Sequence, residues 1–183
     1  MIIVTARGAD RRLSGLLSKS CAGKISVLCV DTASAAFSGT GPDIVFVTQQ
    51  AFSHIACENA AFIVRSNNCL PQQIDCAHAV AIVDSSSSAV MEQVALRHLR
   101  ALTCGLATSD TFTLSSLTAD SAVVSLQRRI VAFDGTSVEP FELPVFFSER
   151  IEPFSLLACA AIFCLMGKRN PLLQAASWTI ESF

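Results

Sequence analysis

Three arginines and an aspartate crowd one short stretch near the start of the chain, VTARGADRRLS at residues 4–14. The stretch follows an apolar run and leads into leucines at helical spacing, so it predicts a loop between a strand and a helix. The N–H groups and dipole of a helix N-terminus favour negative charge, which makes Arg7, Arg11 and Arg12 candidate anion-binding residues. The alternative, which we favour, is a solvated loop whose Asp10 caps the helix and pairs with an arginine.

Polar residues near the ends of later apolar runs form a second candidate group. Thr48 and His54 lie in VTQQAFSHI, residues 47–55, and Asp84 ends the run AVAIVD. Sites in open α/β sheets gather where parallel strands end, and Cys29 with His54 would make a nucleophile and base there. Because Cys29 lies inside an apolar run and His54 has no carboxylate close by in sequence, we favour structural roles for both. No catalytic residue and no metal site is predicted.

Eight cysteines raise the question of disulfides or zinc, but their spacing supports neither. The sequence contains no C-x-x-C pair, the usual element of a zinc site or a redox motif. Several cysteines lie inside apolar runs, where free cysteine behaves as a small hydrophobic residue. We therefore predict reduced and mostly buried thiols, no disulfide, no zinc and a cytoplasmic location. The positions are Cys21, Cys29, Cys57, Cys69, Cys76, Cys104, Cys159 and Cys164.

The composition indicates one domain with a large apolar core. The chain has 183 residues, of which 51% are apolar and 15% charged, with a net charge of −2. That balance argues against nucleic acid as a partner, and the sparse charge favours a surface that docks onto another protein. The first residues lack the pattern of a signal peptide. The longest apolar run, residues 154–166, is too short to span a bilayer and predicts a buried helix, so no membrane contact is expected.

The first 110 residues alternate short apolar runs with helical patterns, which predicts a parallel sheet with crossover helices. Continuous apolar runs of this kind are typical of strands buried on both faces. One of the serines at 85–88 is well placed to be the N-cap of the second helix. The predicted strands are 1–5, 24–31, 43–48, 79–84 and 101–106, and the predicted helices are 11–21 and 88–99.

The pattern changes after residue 110. Residues 111–147 form four strand-like runs without a helical pattern between them, and DGTS at 134–137 has hairpin turn chemistry. They predict a small antiparallel sheet attached to the parallel one. A helix is predicted from Pro153 to about Met166, ending at Gly167, and the tail is expected to hold one more short helix. The expected fold is a single α/β domain over 1–183, with a parallel part at 1–110, an antiparallel part at 111–147 and a helical part at 148–183.

This order of elements resembles the central ATPase domain of the Mur ligase family, whose enzymes add amino acids to peptidoglycan precursors. The likeness is clearest in the second half, where LTCGLATSDTFTLSSL and the strands after it resemble the family's strand, Gly-Leu and three-stranded sheet. PFSLLACAAIFCLMG resembles the family's alanine-rich helix. Earlier, VLCVDTAS, VTQQAFSHI and AVAIVDSSS are similar to segments that carry the family's glutamate, its Thr-Asn…Asp-His and its acidic strand end. The resemblance implies a P-loop fold of the Mur ligase central type.

VTARGADRRLS lies where that family has its phosphate loop, VTGTNGKTT. Ala6 and Ala9 replace the two glycines. Asp10 replaces the lysine, and Arg11 replaces the hydroxyl that holds magnesium. Since one charge pair at about 4 Å is worth about 4 kcal/mol at an effective dielectric near 20, reversing the sign at the lysine position shifts the interaction by about twice that. The resemblance therefore implies a degenerate P-loop, with no ATP binding in the family's manner.

Other functional positions of the family depart in the same way. Cys29 stands at the magnesium-linked glutamate, and the acidic pair after AVAIVD is serine here. Thr48 and His54 match the family, so that with Asp84 they are candidates for the relic of a site; no cofactor is expected. The remaining departures are at Gln49, Ser53, Asn67, Ile151, Glu152 and Ser155.

We interpret the sequence as a bacterial pseudoenzyme: a non-catalytic Mur ligase-like domain with a structural or regulatory role through protein contacts, linked to cell-wall precursor metabolism. The sequence also lacks the family's flanking domains, so we expect open surfaces that bind a second copy, as a homodimer, or another protein. The alternative is a small ligand- or anion-binding protein, or an enzyme, that reuses the cleft at the strand ends without ATP.

Overall fold

The computed structural model describes residues 1–7, 11–20, 25–30, 35–36, 43–49, 53–65 and 70–180. Asp10, on which the phosphate-loop prediction depends, lies outside the described residues. The helices within them are α1 (Arg11–Ser20), α2 (Ser88–Leu96) and α3 (Pro153–Leu165). The strands are β1 (Ile2–Arg7), β2 (Val27–Val30), β3 (Ala35–Ala36), β4 (Ile44–Gln49), β5 (His54–Val64), β6 (Gln73–Asp84), β7 (Arg100–Cys104), β8 (Phe112–Leu117), β9 (Ser121–Leu126), β10 (Ile130–Val131), β11 (Ser137–Val138), β12 (Phe141–Phe147) and β13 (Trp178–Ile180).

Eleven of these strands form one sheet, in the order β13-β12-β9-β8-β7-β6-β5-β1-β4-β2-β3. β1 lies between β4 and β5 and is parallel to both, and parallel pairing continues through β6, β7 and β8. Parallel neighbours need crossover connections, and α2 supplies the one between β6 and β7. The predicted α/β fold with a mostly parallel sheet is confirmed.

The second half of the chain extends that sheet with antiparallel strands. β9 is antiparallel to β8, and β12 is antiparallel to β9. The predicted antiparallel region at 111–147 is thereby confirmed, and it joins the parallel strands through the β7–β8 pair. β10 and β11 form a separate two-stranded sheet around the predicted DGTS turn. Gly135 in that turn has a φ of 79°, a left-handed conformation that glycine adopts without strain.

Helices cover both faces of the sheet over separate apolar clusters. α1 and α3 pack against one another and against one face, and α3 is buried along almost its whole length. α2 covers the other face with Val90 and Val94. Phe163 of α3 meets Trp178 of β13 edge to face, with ring centres 5.7 Å apart. The apolar run predicted as a buried helix is thus the centre of the core, and in the described parts of the chain no helix has the length and hydrophobicity that a bilayer crossing requires.

The tail differs from its prediction. Instead of a short α-helix, the described tail contains a 3-10 turn at Gly167–Arg169 and then β13, which pairs parallel with β12. Trp178 and Ile180 enter the core, whereas Thr179 between them is exposed. This alternation of buried and exposed residues is the signature of a strand, and the prediction of a helix overlooked it.

β5 and β6 are the longest strands described, and the sequence predicted only the last six residues of β6. Their first halves extend beyond their neighbours, because β1 pairs with residues 60–63 of β5 and β7 with residues 80–84 of β6. We call this two-stranded extension, residues 54–58 and 73–77, the ribbon. Most of its exposed positions carry polar or charged residues, so it lacks the continuous apolar run by which the other parallel strands were predicted.

Candidate functional site

The carboxyl ends of the parallel strands meet at one edge of the sheet, which we call the carboxyl edge. β1, β4, β5, β6 and β7 all run in the same direction and end there. In open α/β sheets this edge is where ligands bind. The ribbon projects from the opposite edge, because it consists of the amino-terminal ends of β5 and β6.

Arg65 directly follows β5 and joins the carboxyl edge to the start of α3. Its Nη2 donates to Glu152 Oε2 at 3.0 Å and to Ser155 Oγ at 2.9 Å. The guanidinium carbon lies 4.4 Å from the centre of the Phe154 ring, within the range of a cation–π contact. The side chains of Arg65 and Glu152 are only 30% and 27% exposed, so solvent screens this pair less than an ordinary surface salt bridge.

Glu152 is the N-cap of α3, followed by Pro153 in the first turn. Its carboxylate accepts the backbone N–H of Ser155 at 3.0 Å and also the Ser155 hydroxyl. Burial alone would raise the pKa of the Glu152 carboxyl, but hydrogen bonds from Ser155 and the charge of Arg65 outweigh burial and lower the pKa below its usual value. The end of α3 that would attract a ligand anion therefore holds the chain's own carboxylate.

A cleft of about 530 Å³ lies beside this cap, between α1 and the segment that leads into α3. Arg12 and Arg150 give it positive charge, which the Glu152 carboxylate in the same lining offsets in part, and Leu16 and Ile151 give it apolar surface. A concave site with apolar walls and a few polar groups is the usual form of a small-molecule site. The cleft therefore suits a small organic anion.

The loops after β6 and β7 hold a second set of polar groups at the carboxyl edge. Asp84 Oδ1 accepts the backbone N–H of Ser86 at 3.0 Å and the Ser86 hydroxyl at 2.6 Å. The two loops approach so closely that a Cβ on Gly105 would collide with the Ser85 hydroxyl and the Asp110 carboxylate. Close packing of the two loops thus explains why residue 105 is a glycine. The Asp84 carboxylate is already engaged in hydrogen bonds within its own turn.

Cys104 ends β7 at this edge, but it is 1% exposed. Burial, and then the charges of Asp110 and Asp84, raise the pKa of the Cys104 thiol well above its usual value. Because the thiolate is the nucleophilic form of cysteine, Cys104 is suited to packing rather than to attack. Among the described residues no group of three or more His, Cys, Asp or Glu side chains is placed to hold a metal ion.

The predicted site residues do not come together. Thr48 near the end of β4 donates its hydroxyl to a backbone carbonyl of β2 at 3.4 Å, and Asp84 also lies at the carboxyl edge. His54 begins β5 at the opposite edge, where its Nε2 lies 2.8 Å from Asp75 Oδ2. His54 therefore does not group with Thr48 and Asp84, because it lies at the amino end of its strand. The same position agrees with the sequence argument against a Cys29–His54 pair.

The predicted anion-binding arginines fall into two groups. Arg12 is exposed and lines the cleft. The side chains of Arg7 and Arg11 lie outside the described residues, so anion binding by these three arginines stays a prediction.

Arg65 is the residue of this edge that sequence reasoning missed, and Glu152 was noted only as a departure from a family pattern. Both had a signal in the sequence. An acidic residue directly before a proline that opens an apolar helical run indicates an N-cap. The run AAFIV before Arg65 indicates a buried strand that ends at a charge.

Comparisons with known proteins identify the fold. No protein-family model matches the chain, and no curated protein matches it. Among solved structures, a MurF ligase from Thermotoga maritima in complex with ADP is similar at a TM-score of 0.50 and 15% sequence identity. The fold is Mur ligase-like. The match covers 90% of this chain and 44% of the MurF chain, so the present chain spans less than half the length of that ligase.

Proposed function

We propose that this chain is a non-catalytic domain of Mur ligase-like fold that acts through protein contacts rather than through ATP-dependent ligation. The observation that carries the proposal is the Glu152 carboxylate at the N-terminus of α3, held by Ser155 and Arg65. A phosphate that approached this helix end would meet a carboxylate in place of free N–H groups. The Arg65 guanidinium beside it already pairs with this carboxylate, so this helix end does not fit a nucleotide phosphate.

Substitutions in the sequence support the same proposal. Asp10 stands at the lysine of the family's phosphate loop, and Cys29 stands at its magnesium-linked glutamate. An aspartate repels phosphate where a lysine would neutralise it, and a half-buried cysteine in β2 offers no hard oxygen ligand for magnesium. These residues do not fit magnesium-ATP.

Titration calorimetry with magnesium-ATP tests the catalytic half of the proposal. We expect no binding at micromolar concentrations by the natural chain. The Glu152→Gln variant keeps the shape of the cap but removes its charge, so it shows whether the carboxylate contributes to exclusion. Micromolar binding of magnesium-ATP by the natural chain would overturn the proposal.

The surface that supports protein contacts is the outer face of the antiparallel strands, by which we mean the side carrying Val123, Pro144 and Phe146. Helices α1 and α3 lie on the other face, into which Val145 and Trp178 point. Phe146 is 50% exposed, and the neighbouring Pro144 pairs in register with Val123. An aromatic ring beside aliphatic side chains is typical of the centre of an interface.

A second copy of this chain is the simplest occupant of the outer face, because two-fold dimers are the commonest protein assemblies. A standard interface covers about 800 Å² on each side, and apolar burial stabilises it by about 25 cal/mol per Å² before the costs of association. Light scattering at micromolar concentration is expected to show a dimer.

The Phe146→Asp variant is expected to be monomeric, because it replaces the exposed aromatic ring of the outer face with a charge. Leu96→Asp is the matched control, since Leu96 is 71% exposed on α2 and is not part of the antiparallel strands, and this variant should remain a dimer. A natural chain that runs only as a 19.5 kDa species would end the dimer proposal.

The cleft beside α3 favours a second candidate function, the binding of a small organic anion without ATP. Its support is the pair Arg12 and Arg150 on an apolar wall. Thermal-shift titrations with phosphate and a UDP-sugar would show a rise in melting temperature that Arg12→Gln or Arg150→Gln removes. Arg129→Gln, the same charge change at an exposed loop residue, is the control. No shift with any anion, or a shift that survives both cleft variants, would contradict this function.

A further inference from the structure

The ribbon brings together two cysteines that are distant in sequence. Cys57 of β5 and Cys76 of β6 are register partners on neighbouring parallel strands. Their Sγ atoms are 3.5 Å apart, and both residues are half-buried free thiols. Ile55 and Ile74 flank them in the apolar cluster that α2 covers. The two thiols therefore face each other in a fixed position that small molecules in solution can still reach.

We propose that Cys57 and Cys76 are a redox-active dithiol, which a low-molecular-weight disulfide such as oxidised glutathione converts to an intramolecular disulfide. Neighbouring strands lie about 4.8 Å apart, and a disulfide accepts Cα atoms about 4.4–6.8 Å apart. The backbone spacing of a register pair thus already suits the bond. The sulfur atoms must approach by about 1.5 Å to reach the bond length of about 2.05 Å, a movement that rotation of the side chains supplies.

The contacts of the two thiols indicate which one attacks the external disulfide and which one then closes the intramolecular bond. Cys57 donates its S–H to the backbone carbonyl of Asn59 at 3.6 Å, and burial, then the hydrogen bond and charge of Cys76, raise the pKa of Cys57 to about 12. Cys57 thus keeps its proton. Because the Cys57 S–H is held in this hydrogen bond, we assign the attack on the external disulfide to Cys76.

The exchange balances in two steps. The Cys76 thiolate forms a bond to one sulfur of oxidised glutathione, and the first glutathione leaves as a thiolate that takes up a proton. The Cys57 sulfur then attacks Cys76 and displaces the second glutathione, which takes up the proton that Cys57 releases. The protein dithiol loses two electrons and two protons, and one glutathione disulfide becomes two glutathione thiols.

The position of the pair gives the disulfide a structural effect. β1 and β7 pair with β5 and β6 only beyond the ribbon. Within the ribbon, each strand is therefore paired with the other strand alone. A covalent bond between Cys57 and Cys76 closes the loop between these strands and restricts its opening. Oxidation thus fixes an extension that in the reduced protein rests on local contacts.

The test is incubation of the folded, reduced protein with oxidised glutathione, followed by peptide mapping. Arg65 lies between the two cysteines, so trypsin separates them unless a disulfide joins their peptides. We expect a linked pair of peptides, and further cleavage before Asp43 and Asp75 separates Cys57 from Cys29 and Cys76 from Cys69, which assigns the bond to Cys57 and Cys76. Ribbon amides should exchange hydrogen at least about tenfold more slowly after oxidation.

Serine variants separate this dithiol from general thiol reactivity. Cys57→Ser should accumulate a mixed disulfide of Cys76 with glutathione, whereas Cys76→Ser should react at least about tenfold more slowly at Cys57, because burial, the largest cause, still raises the pKa of the Cys57 thiol. Cys29→Ser changes another half-buried cysteine and should leave the linked peptides unchanged. Free thiols at both positions after oxidation, a stable glutathione adduct on the natural chain or a bond to a different cysteine would each overturn the proposal.

Discussion

The two ends of β5 and β6 are built from the same strands but are held in different ways. At the carboxyl edge, Arg65 reaches across the molecule to Glu152 and Ser155, and the strands lie between β1 and β7 under helices on both faces. In the ribbon, the two strands are joined by contacts between register neighbours, such as Cys57 with Cys76. Strand length alone therefore does not indicate how stable a segment of a strand is against local opening.

Burial follows the same division. Along β5 the residues from Ala60 to Val64 are all buried, whereas the first six alternate and are mostly exposed or half-buried. Hydrophobic stabilisation scales with the apolar area removed from water, so the body of the strand contributes most of it. The ribbon adds reactive groups to the molecule and comparatively little stability.

Removing a core side chain from the body of β5 should have the largest effect. Phe62 is 1% exposed, and Phe62→Ala is expected to lower the free energy of unfolding by about 3–5 kcal/mol. Ile74→Ala in the ribbon deletes a half-buried side chain and should cost about half of that or less. Urea denaturation of both variants measures the two values. Equal losses would refute the division of β5 and β6 into a body and a ribbon.

Hydrogen exchange of the reduced protein should show the division without any substitution. Core strands open with nearly the global free energy, and segments with unpaired edges open locally at much lower free energies. We expect the amides of Phe62 and Ile63 to exchange at least about a hundredfold more slowly than that of Ala56, a difference of about 2.7 kcal/mol. Nuclear magnetic resonance resolves these amides individually. Similar exchange rates along all of β5 would contradict the comparison.

The Glu152 cap should make stability depend on pH. The folded-state pKa of this carboxyl is lowered, so its contribution is complete above the unfolded pKa of about 4.3 and is lost as pH falls through the folded pKa. Glu152→Gln should therefore lower the free energy of unfolding by about 1–3 kcal/mol at neutral pH and by progressively less below about pH 4. Urea denaturation at pH 7 and pH 3 measures the difference. Glu142→Gln, at an exposed carboxylate on β12, is the control, and a loss at Glu152 that does not change with pH would contradict the assignment.

The elements that the sequence predicted best are those with continuous apolar runs, and the elements with exposed or short patterns were missed. The runs AVAIVD and PFSLLACAAIFCLMG are buried along most of their length, and their apolar composition alone indicated the end of β6 and α3. The apolar run in KISVLCVD indicated β2 in the same way, although β2 is only half-buried. β5 was missed because its exposed start breaks the apolar run. β13 was missed because only three residues of the tail show the alternation of a strand, and its place beside β12 depends on Trp178 meeting Phe163.

The candidate site was less predictable than the fold because it depends on contacts between distant residues. Arg65 and Glu152 are 87 positions apart, and no local spacing indicates their pairing. The prediction of reduced thiols rested on the absence of C-x-x-C pairs and on apolar context. Neither observation indicates that Cys57 and Cys76, which are free thiols, lie 3.5 Å apart on neighbouring strands. His54 was placed at the wrong edge because the strand that it begins was not predicted.

The smallest effect should come from the ion pair of the ribbon. His54 and Asp75 are about half exposed, at 48% and 53%, so water and salt screen their attraction. Asp75 also accepts a hydrogen bond from Gln73 Nε2 at 2.7 Å, which means that single substitutions change more than one contact. A double-mutant cycle with His54→Gln and Asp75→Asn isolates the pair, and we expect a coupling energy of about 0.2–1 kcal/mol at pH 6. The coupling should shrink in about 1 M salt, where the Debye length is about 3 Å. A coupling above about 2 kcal/mol would show that the ribbon is held far more firmly than its exposure implies, and the contrast between the two ends of these strands would then fail.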